Sequence, residues 1–88
     1  MLHQSLDRAL RILQAFETRN DEMGTVELSR SLNIHRSTVS RILKVLVDYE
    51  FLEQNPQTKR FSLGQINLRL AGSLKQSLKT NLVQIAKP

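Results

Sequence analysis

The sequence contains no cysteine. Neither a disulfide nor a thiolate metal site can form, and this composition is typical of proteins in a reducing cytoplasm. No apolar run reaches the roughly 18–20 residues that a membrane-spanning helix needs. Polar and charged residues interrupt the apolar positions of residues 1–13, so this segment does not resemble a signal peptide. We therefore expect a cytoplasmic protein.

The chain also has few residues suited to catalysis or metal binding. His3 and His35 are its two histidines, and neither has a second potential ligand at the spacing of a metal site. Asp21 and Glu22 are adjacent but have no histidine or cysteine close by. No serine lies in a nucleophile elbow, and there is no glycine-rich phosphate loop. With 88 residues the chain is small for a substrate pocket, so we predict no enzyme, no metal and no cofactor.

Acidic residues are missing from the last part of the chain. Lysine and arginine outnumber aspartate and glutamate, 13 to 8, and the formal net charge is +5. The acidic residues end at Glu53, and beyond it come Lys59, Arg60, Arg69, Lys75, Lys79 and Lys87. This distribution favours a polyanionic partner. A solvated basic surface is the alternative that charge alone leaves open.

Residues 25–44 read as two short helices joined by a tight turn. In the second helix, predicted at about 36–49, the apolar positions follow the spacing of one buried helical stripe. They are Val39, Ile42, Leu43, Leu46 and Val47. The positions between them are Arg36, Ser37, Thr38, Ser40, Arg41 and Lys44. Because such side chains bond phosphates and base edges in a major groove, the pattern predicts a DNA-binding helix-turn-helix motif.

A further helix is predicted before this motif, at about residues 5–17. Ser5 is its expected N-cap, and Asp7 favours the positive end of the helix. Its predicted apolar stripe is Leu6, Ala9, Leu10, Leu13 and Phe16. Residues 19–24 read as a polar loop, with Thr25 as the N-cap of the next helix. Asn33 stands at the turn between the two motif helices, where it tolerates a left-handed conformation.

After the motif the pattern predicts a β-hairpin, or wing, and one long helix. Strands are expected at 51–54 and 60–63, joined by a turn at 55–58 that contains Pro56, with Phe61 and Leu63 on one face. The helix, about 65–86, would be roughly 30 Å long. Its apolar row through Ala71, Leu74, Leu78 and Leu82 predicts pairing with a second copy. A frayed tail and a helix folded back on the domain are the alternatives.

The predicted fold is therefore mainly α: three helices and a two-stranded wing, followed by a long helix. The domain core should include Leu10, Leu13, Phe16, Leu28, Leu32, Val39, Leu43, Leu46, Leu52 and Phe61.

Three segments of the sequence resemble the IclR-type family of bacterial transcriptional regulators. They are residues 5–13 (SLDRALRIL), 32–43 (LNIHRSTVSRIL) and 60–64 (RFSLG). Three positions depart from the usual family pattern: Asn33 and Glu50 stand where glycine is common, and His35 where proline is common. The resemblance implies a winged helix-turn-helix in residues 1–64. Residues 65–88 would then form a linker helix leading toward a C-terminal effector-binding domain that this chain does not contain.

Such regulators act as dimers or tetramers on palindromic operators and bind a small effector through their C-terminal domain. The resemblance therefore implies a sequence-specific DNA-binding domain of a homodimeric regulator located at the nucleoid. Activation and repression both stay open. A winged-helix module for protein–protein interaction, without specific DNA binding, is the rival interpretation.

The candidate DNA-binding residues are His35, Arg36, Ser37, Thr38, Ser40, Arg41, Lys44, Lys59 and Arg60. Each also has a plainer interpretation. Ser37 or Thr38 could cap the recognition helix, and His35 could act as a local cap. Arg41 could pair with Glu27 on the preceding helix instead of reaching phosphate. The remaining cations could be solvated.

Overall fold

The winged helix-turn-helix architecture predicted from the sequence is confirmed. The structure is a computed structural model that describes residues 4–19 and 21–86, with side chains as far as residue 78. The elements, in chain order, are α1 (Gln4–Arg19), α2 (Thr25–Leu32), α3 (Arg36–Asp48), β1 (Leu52–Gln54), β2 (Phe61–Leu63) and α4 (Ile66–Ala86).

The core lies where α1, α2 and α3 meet the inner face of the hairpin. Its buried residues are Ile12, Phe16, Met23, Leu28, Ile34, Val39, Leu43, Leu46, Leu52 and Phe61. Leu13 and Leu32, which were also predicted to belong to the core, are partly buried against it. Most of the predicted core is therefore confirmed, because the spacing of the apolar residues in α2 and α3 selects one face of each helix.

The apolar stripe predicted for α1 was placed at the wrong angle about the helix axis. Leu10 is 52% exposed and Leu6 is 57% exposed, whereas Ile12 is completely buried together with Phe16. Apolar residues occupy more than one side of this helix, so several stripes fit the helical period equally well. Packing against α3 selects the side with Ile12 and Phe16, and Leu6 and Leu10 stay accessible.

The predicted N-caps of the first two helices were also wrong. Helix α1 already includes Ser5 as its second residue. Helix α2 begins at Thr25, and its N-cap is Gly24 in an extended conformation. The Glu27 carboxylate accepts a hydrogen bond from the Gly24 N–H at 3.3 Å. The carboxylate three residues into the helix therefore fixes this start, which is the reverse half of a capping box.

The loop before α2 was predicted to be polar, yet it contains a buried residue. Met23 is 1% exposed and exchanges two backbone hydrogen bonds of 2.9 and 2.8 Å with Phe61. Strand β2 therefore lies between β1, which pairs with it in antiparallel register, and a one-residue bridge at Met23. On β2 itself, Phe61 is buried and Leu63 is 39% exposed, so the two residues that alternation places on one face differ in burial.

Within the described residues, three that are not glycine have a positive φ: Asn33 (55°), Glu50 (67°) and Lys59 (66°). The left-handed turn predicted at Asn33 is confirmed, because Asn33 has ψ 48° and ends α2. Glu50 follows Tyr49, the C-cap of α3. Its N–H donates to the carbonyl of Val47, and the Phe51 N–H donates to that of Leu46, both at 2.9 Å. This is the pattern of a Schellman motif, in which glycine usually occupies the left-handed position.

After the hairpin, the backbone at Gly64 passes close to the turn at Glu50. A Cβ atom added to Gly64 would lie 2.2 Å from the carbonyl oxygen of Glu50. No side chain fits at that distance, so close backbone approach requires glycine where the hairpin ends.

Helix α4 is attached to the domain through its first turn. The Asn67 amide donates to the carbonyls of Phe51 and Gly64 at 2.8 and 3.0 Å, and Arg69 pairs with Glu50 at 3.2 Å. From residue 68 to residue 78 every side chain is exposed. In the part of the chain that the structure describes, no helix has the length and apolarity to cross a membrane.

Candidate nucleic-acid interface

Helix α3 has two faces of opposite character. Val39, Leu43 and Leu46 are buried on one side. The polar residues on the accessible side are Arg36, Ser37, Ser40, Arg41 and Lys44, and all are exposed. Among the side chains of residues 4–19 and 21–78, no ion pair joins Arg36, Arg41 or Lys44 to a carboxylate. Their charge is therefore available to an external anion.

His35 is the N-cap of α3, as the plainer interpretation of this residue proposed. Its Nδ1 accepts a hydrogen bond from the backbone N–H of Ser37 at 3.2 Å. The Ser37 hydroxyl lies 2.9 Å from the same nitrogen. Both side chains remain exposed, so the cap does not remove them from the accessible face of α3.

Thr38 differs from the other candidates on α3 because it is half-buried. It lines a groove of about 380 Å³ between α1 and α3, together with Leu6, Val45 and other residues of the two helices. The Thr38 side chain is therefore at the margin of the accessible face and not at its centre.

The two predicted wing residues have different surroundings. Lys59 is exposed near the tip of the hairpin. Arg60 points back into the domain: its Nη2 donates to the carbonyl of Glu22 at 2.7 Å and to the Glu27 carboxylate at 3.0 Å. Arg60 therefore ties the wing to the start of α2, a role that the sequence did not reveal.

Glu27 joins α1, α2 and the wing. One of its carboxylate oxygens bonds Arg19 at 2.9 Å, and the other bonds Arg60 at 3.0 Å. The interpretation in which Arg41 pairs with Glu27 is therefore wrong, because these two arginines hold the carboxylate. The hydrogen bond from the Gly24 N–H lowers the pKa of Glu27, partial burial opposes that effect, and Arg19 and Arg60 lower the pKa further.

An open cleft of about 900 Å³ lies between α2 and the wing, and sequence reasoning did not identify it. Its lining includes Arg30 and Ser31 on α2, and Thr58 and Lys59 on the wing. Arg30 is exposed, so two cations approach this cleft from opposite sides. In the sequence Arg30 looks like an ordinary basic residue in the last turn of a helix, and nothing local indicates that the hairpin lies opposite.

Metal chemistry has no visible support in this region. Within the described ranges no group of three or more histidine, aspartate or glutamate side chains could hold a metal ion. The site instead consists of a cationic, hydroxyl-rich helix beside a hairpin with a lysine near its tip, which is the composition of surfaces that bind phosphates and base edges.

The family model described as the IclR helix-turn-helix domain matches residues 5–56. The chain belongs to the IclR family. Its winged helix-turn-helix is thus the DNA-binding domain of an IclR-family transcriptional regulator.

Two relatives in this family have names that describe their role. The chain is 33% identical over 61 residues to the HTH-type transcriptional regulator XynR of Escherichia coli (strain K12), covering 69% of this chain and 24% of XynR. It is 30% identical over 87 residues to the HTH-type transcriptional regulator TsaQ1/TsaQ2 of Comamonas testosteroni, covering 99% of this chain and 30% of that protein. The chain thus spans about a quarter to a third of the length of these relatives.

A solved structure supports the same assignment. The crystal structure of an IclR family transcriptional regulator from Brucella abortus superposes with a TM-score of 0.78 and 26% identity. The superposition covers 90% of this chain and 30% of that protein. The superposition therefore includes most of this chain and is not confined to its helix-turn-helix.

Proposed function

We propose that α3 enters the major groove of an operator and reads it, while the wing contacts the adjacent backbone. The observation that carries this proposal is the exposed face of α3, where arginine, lysine and serine side chains lie opposite the buried stripe. Residues at the start of such a helix reach base edges, and residues two turns further on meet the phosphate backbone. In this arrangement Arg36 reads a base and Lys44 binds a phosphate.

The other candidates divide according to their surroundings. Ser40 and Arg41 contact the groove or its phosphates from the centre of the exposed face, with His35 and Ser37 at its start. Thr38 contributes from the margin. Lys59 contacts the backbone from the wing, and Arg60 orients the wing through Glu22 and Glu27 more than it contacts DNA.

Fluorescence anisotropy on cognate and random duplexes at several salt concentrations tests the roles of the helix residues. Arg36→Ala should lose roughly 1–3 kcal/mol on the cognate duplex and much less on random DNA. Lys44→Ala should weaken both duplexes about equally and lower the salt slope by about one unit. Lys75→Ala, which removes an exposed charge from α4, is the matched control and should change neither affinity.

Equal losses for Arg36→Ala on both duplexes would reduce Arg36 to a positioning contact. An absence of binding by the wild-type chain at low salt would favour the protein-interaction rival. That rival is disfavoured because the exposed face of α3 consists mainly of arginine, lysine and serine side chains. Val45, which is 53% exposed, interrupts this polar face, and the exposed Tyr49 lies just beyond the end of the helix.

The proposal includes dimerisation through α4, with residues 1–64 as the DNA-binding unit and 65–88 as the connecting helix. Leu70, Leu74 and Leu78 are 50%, 60% and 45% exposed, and Ala71 is exposed beside them. Leu82 lies beyond the residues whose side chains the structure describes. A second copy covering this row would bury the leucines and place two recognition helices on a palindromic operator.

Sedimentation velocity across a concentration series tests the dimer. Replacing Leu74 and Leu78 together with lysine places like charges along the row and should shift the chain to monomers. The matched control replaces Ser73 and Gln76 with lysine, because at 3.6 residues per turn these two positions lie on the other side of α4. A wild-type chain that stays monomeric at high concentration would overturn dimerisation through this row.

A further inference from the structure

The cap at the start of α3 determines which nitrogen of His35 carries a proton. A backbone amide always donates, so the Nδ1 atom that accepts from the Ser37 N–H at 3.2 Å must be unprotonated. In the neutral ring the proton then resides on Nε2. The Ser37 hydroxyl, 2.9 Å from Nδ1, likewise has to donate to it. The cap therefore uses the acceptor of the imidazole and leaves the donor at the opposite edge of the ring.

We propose that His35 contacts DNA directly and that its Nε2–H donates to an acceptor there, either a purine N7 or a phosphate oxygen. This inference rests on the proposed function, in which the start of α3 faces the groove. His35 is exposed and directly precedes Arg36, at the end of the helix where base contacts concentrate. A donor held in one tautomer accepts nothing, so it disfavours the amino groups of adenine and cytosine at that point of the groove.

The competing account is that His35 serves α3 as a cap and touches no DNA. Two substitutions separate the accounts. In His35→Asn the short side chain keeps an oxygen that can cap the helix, and asparagine is among the best N-cap residues. It has no group at the position of Nε2. In His35→Ala both the cap and the donor are lost.

The first measurement compares stability and affinity of the wild type, His35→Asn and His35→Ala in one buffer. A duplex selected by the wild-type chain from a randomised library is the probe. His35→Asn should unfold at the wild-type temperature and bind the selected duplex roughly tenfold more weakly. His35→Ala should show the same loss of affinity and a lower unfolding temperature. Equal affinity of His35→Asn and wild type would overturn the inference.

The second measurement identifies the acceptor. Single 7-deazapurine substitutions test each purine N7, and single methylphosphonates test each phosphate. One modified position should weaken wild-type binding by about the factor lost in His35→Asn and should leave the variant unaffected. A coupled 7-deazapurine assigns the contact to a base, and a coupled methylphosphonate assigns it to the backbone. If no position is coupled to His35, the inference fails.

A long-range ¹H–¹⁵N spectrum of the free chain tests the tautomer without DNA. The His35 Nδ1 resonance should be that of an unprotonated nitrogen, and a protonated Nδ1 would overturn the inference. These failures differ from the failure of the proposed function. If the proposed function fails, the wild-type chain selects no duplex at all. If only the inference about His35 fails, the wild-type chain binds its selected duplex and His35→Asn binds it equally well.

Discussion

The core of the domain formed by residues 4–64 and the helix α4 use leucine in opposite ways. In the domain Leu28 and Leu43 are completely buried, whereas on α4 Leu70 and Leu74 are at least half exposed. The same side chain thus stabilises the fold of one region and adds nothing to the fold of the isolated chain in the other. Helical spacing of apolar residues therefore does not by itself show that this chain buries them, because the surrounding structure decides whether such a stripe joins the core.

The sharpest test of this comparison substitutes one leucine in each region. Leu43→Ala should reduce the free energy of unfolding by roughly 2–5 kcal/mol, because it leaves a cavity at a completely buried site. Leu74→Ala, the matched control at a side chain that is 60% exposed, should change it by less than about 0.5 kcal/mol. Urea denaturation of the two variants, followed by circular dichroism at a concentration where the chain is monomeric, measures both. Similar losses would mean that α4 packs on its own domain.

The two regions also differ in the change of stability expected when a glycine is replaced by alanine. Gly64→Ala should cost about 1–3 kcal/mol or more, because its new Cβ must displace the carbonyl of Glu50. Gly72 lies within α4 with nothing within 4 Å of an added Cβ. Gly72→Ala should therefore favour the helical state by up to about 1 kcal/mol. Thermal unfolding and the far-ultraviolet helix signal record the two effects, and a destabilising Gly72→Ala would show that α4 has a close neighbour there.

A smaller effect is expected at Glu50, where α3 joins the hairpin. Glu50→Gly should raise the free energy of unfolding by about 1 kcal/mol, because it removes the cost of a left-handed conformation at φ 67°. Glu50→Ala is the control, since it also loses the exposed pair with Arg69 but keeps a side chain at positive φ. Glycine no more stable than alanine at this position would show that the turn carries no strain.

The smallest effect concerns acid stability of the domain. The lowered pKa of Glu27 means that its contribution to stability is complete above the ordinary value of 4.5 and is lost as the pH falls through the lowered value. The wild-type chain should therefore lose stability on acidification more steeply than Glu27→Gln does. Glu53→Gln, at an exposed position on β1, is the control and should follow the wild type. Parallel acid profiles for all three proteins would exclude this role of Glu27.

Several structural features that depend only on neighbouring residues were predicted correctly from the sequence. The buried stripe of α3 follows from helical spacing, and the left-handed turn at Asn33 follows from the tolerance of asparagine for that conformation. The hairpin follows from two short apolar segments around Pro56. None of these needs information about a distant part of the chain.

The N-cap of α2 was missed although its Gly24–Glu27 contact is local, but the other missed features depend on contacts between distant segments. Burial of Ile12 in place of Leu10 reflects the side of α1 that α3 covers. Met23 is buried because β2, far along the chain, pairs with it. Arg60 could not be distinguished from a DNA-binding arginine, because its partners Glu22 and Glu27 precede it by more than thirty residues.

The backbone bridge between Met23 and Phe61 has a consequence for self-association. It occupies the outer edge of β2, while the remaining edge belongs to β1, which is three residues long and includes Glu53. Short, charged strand edges are poor templates for another chain to extend a sheet. The sheet of this domain is therefore poorly suited to edge-to-edge aggregation.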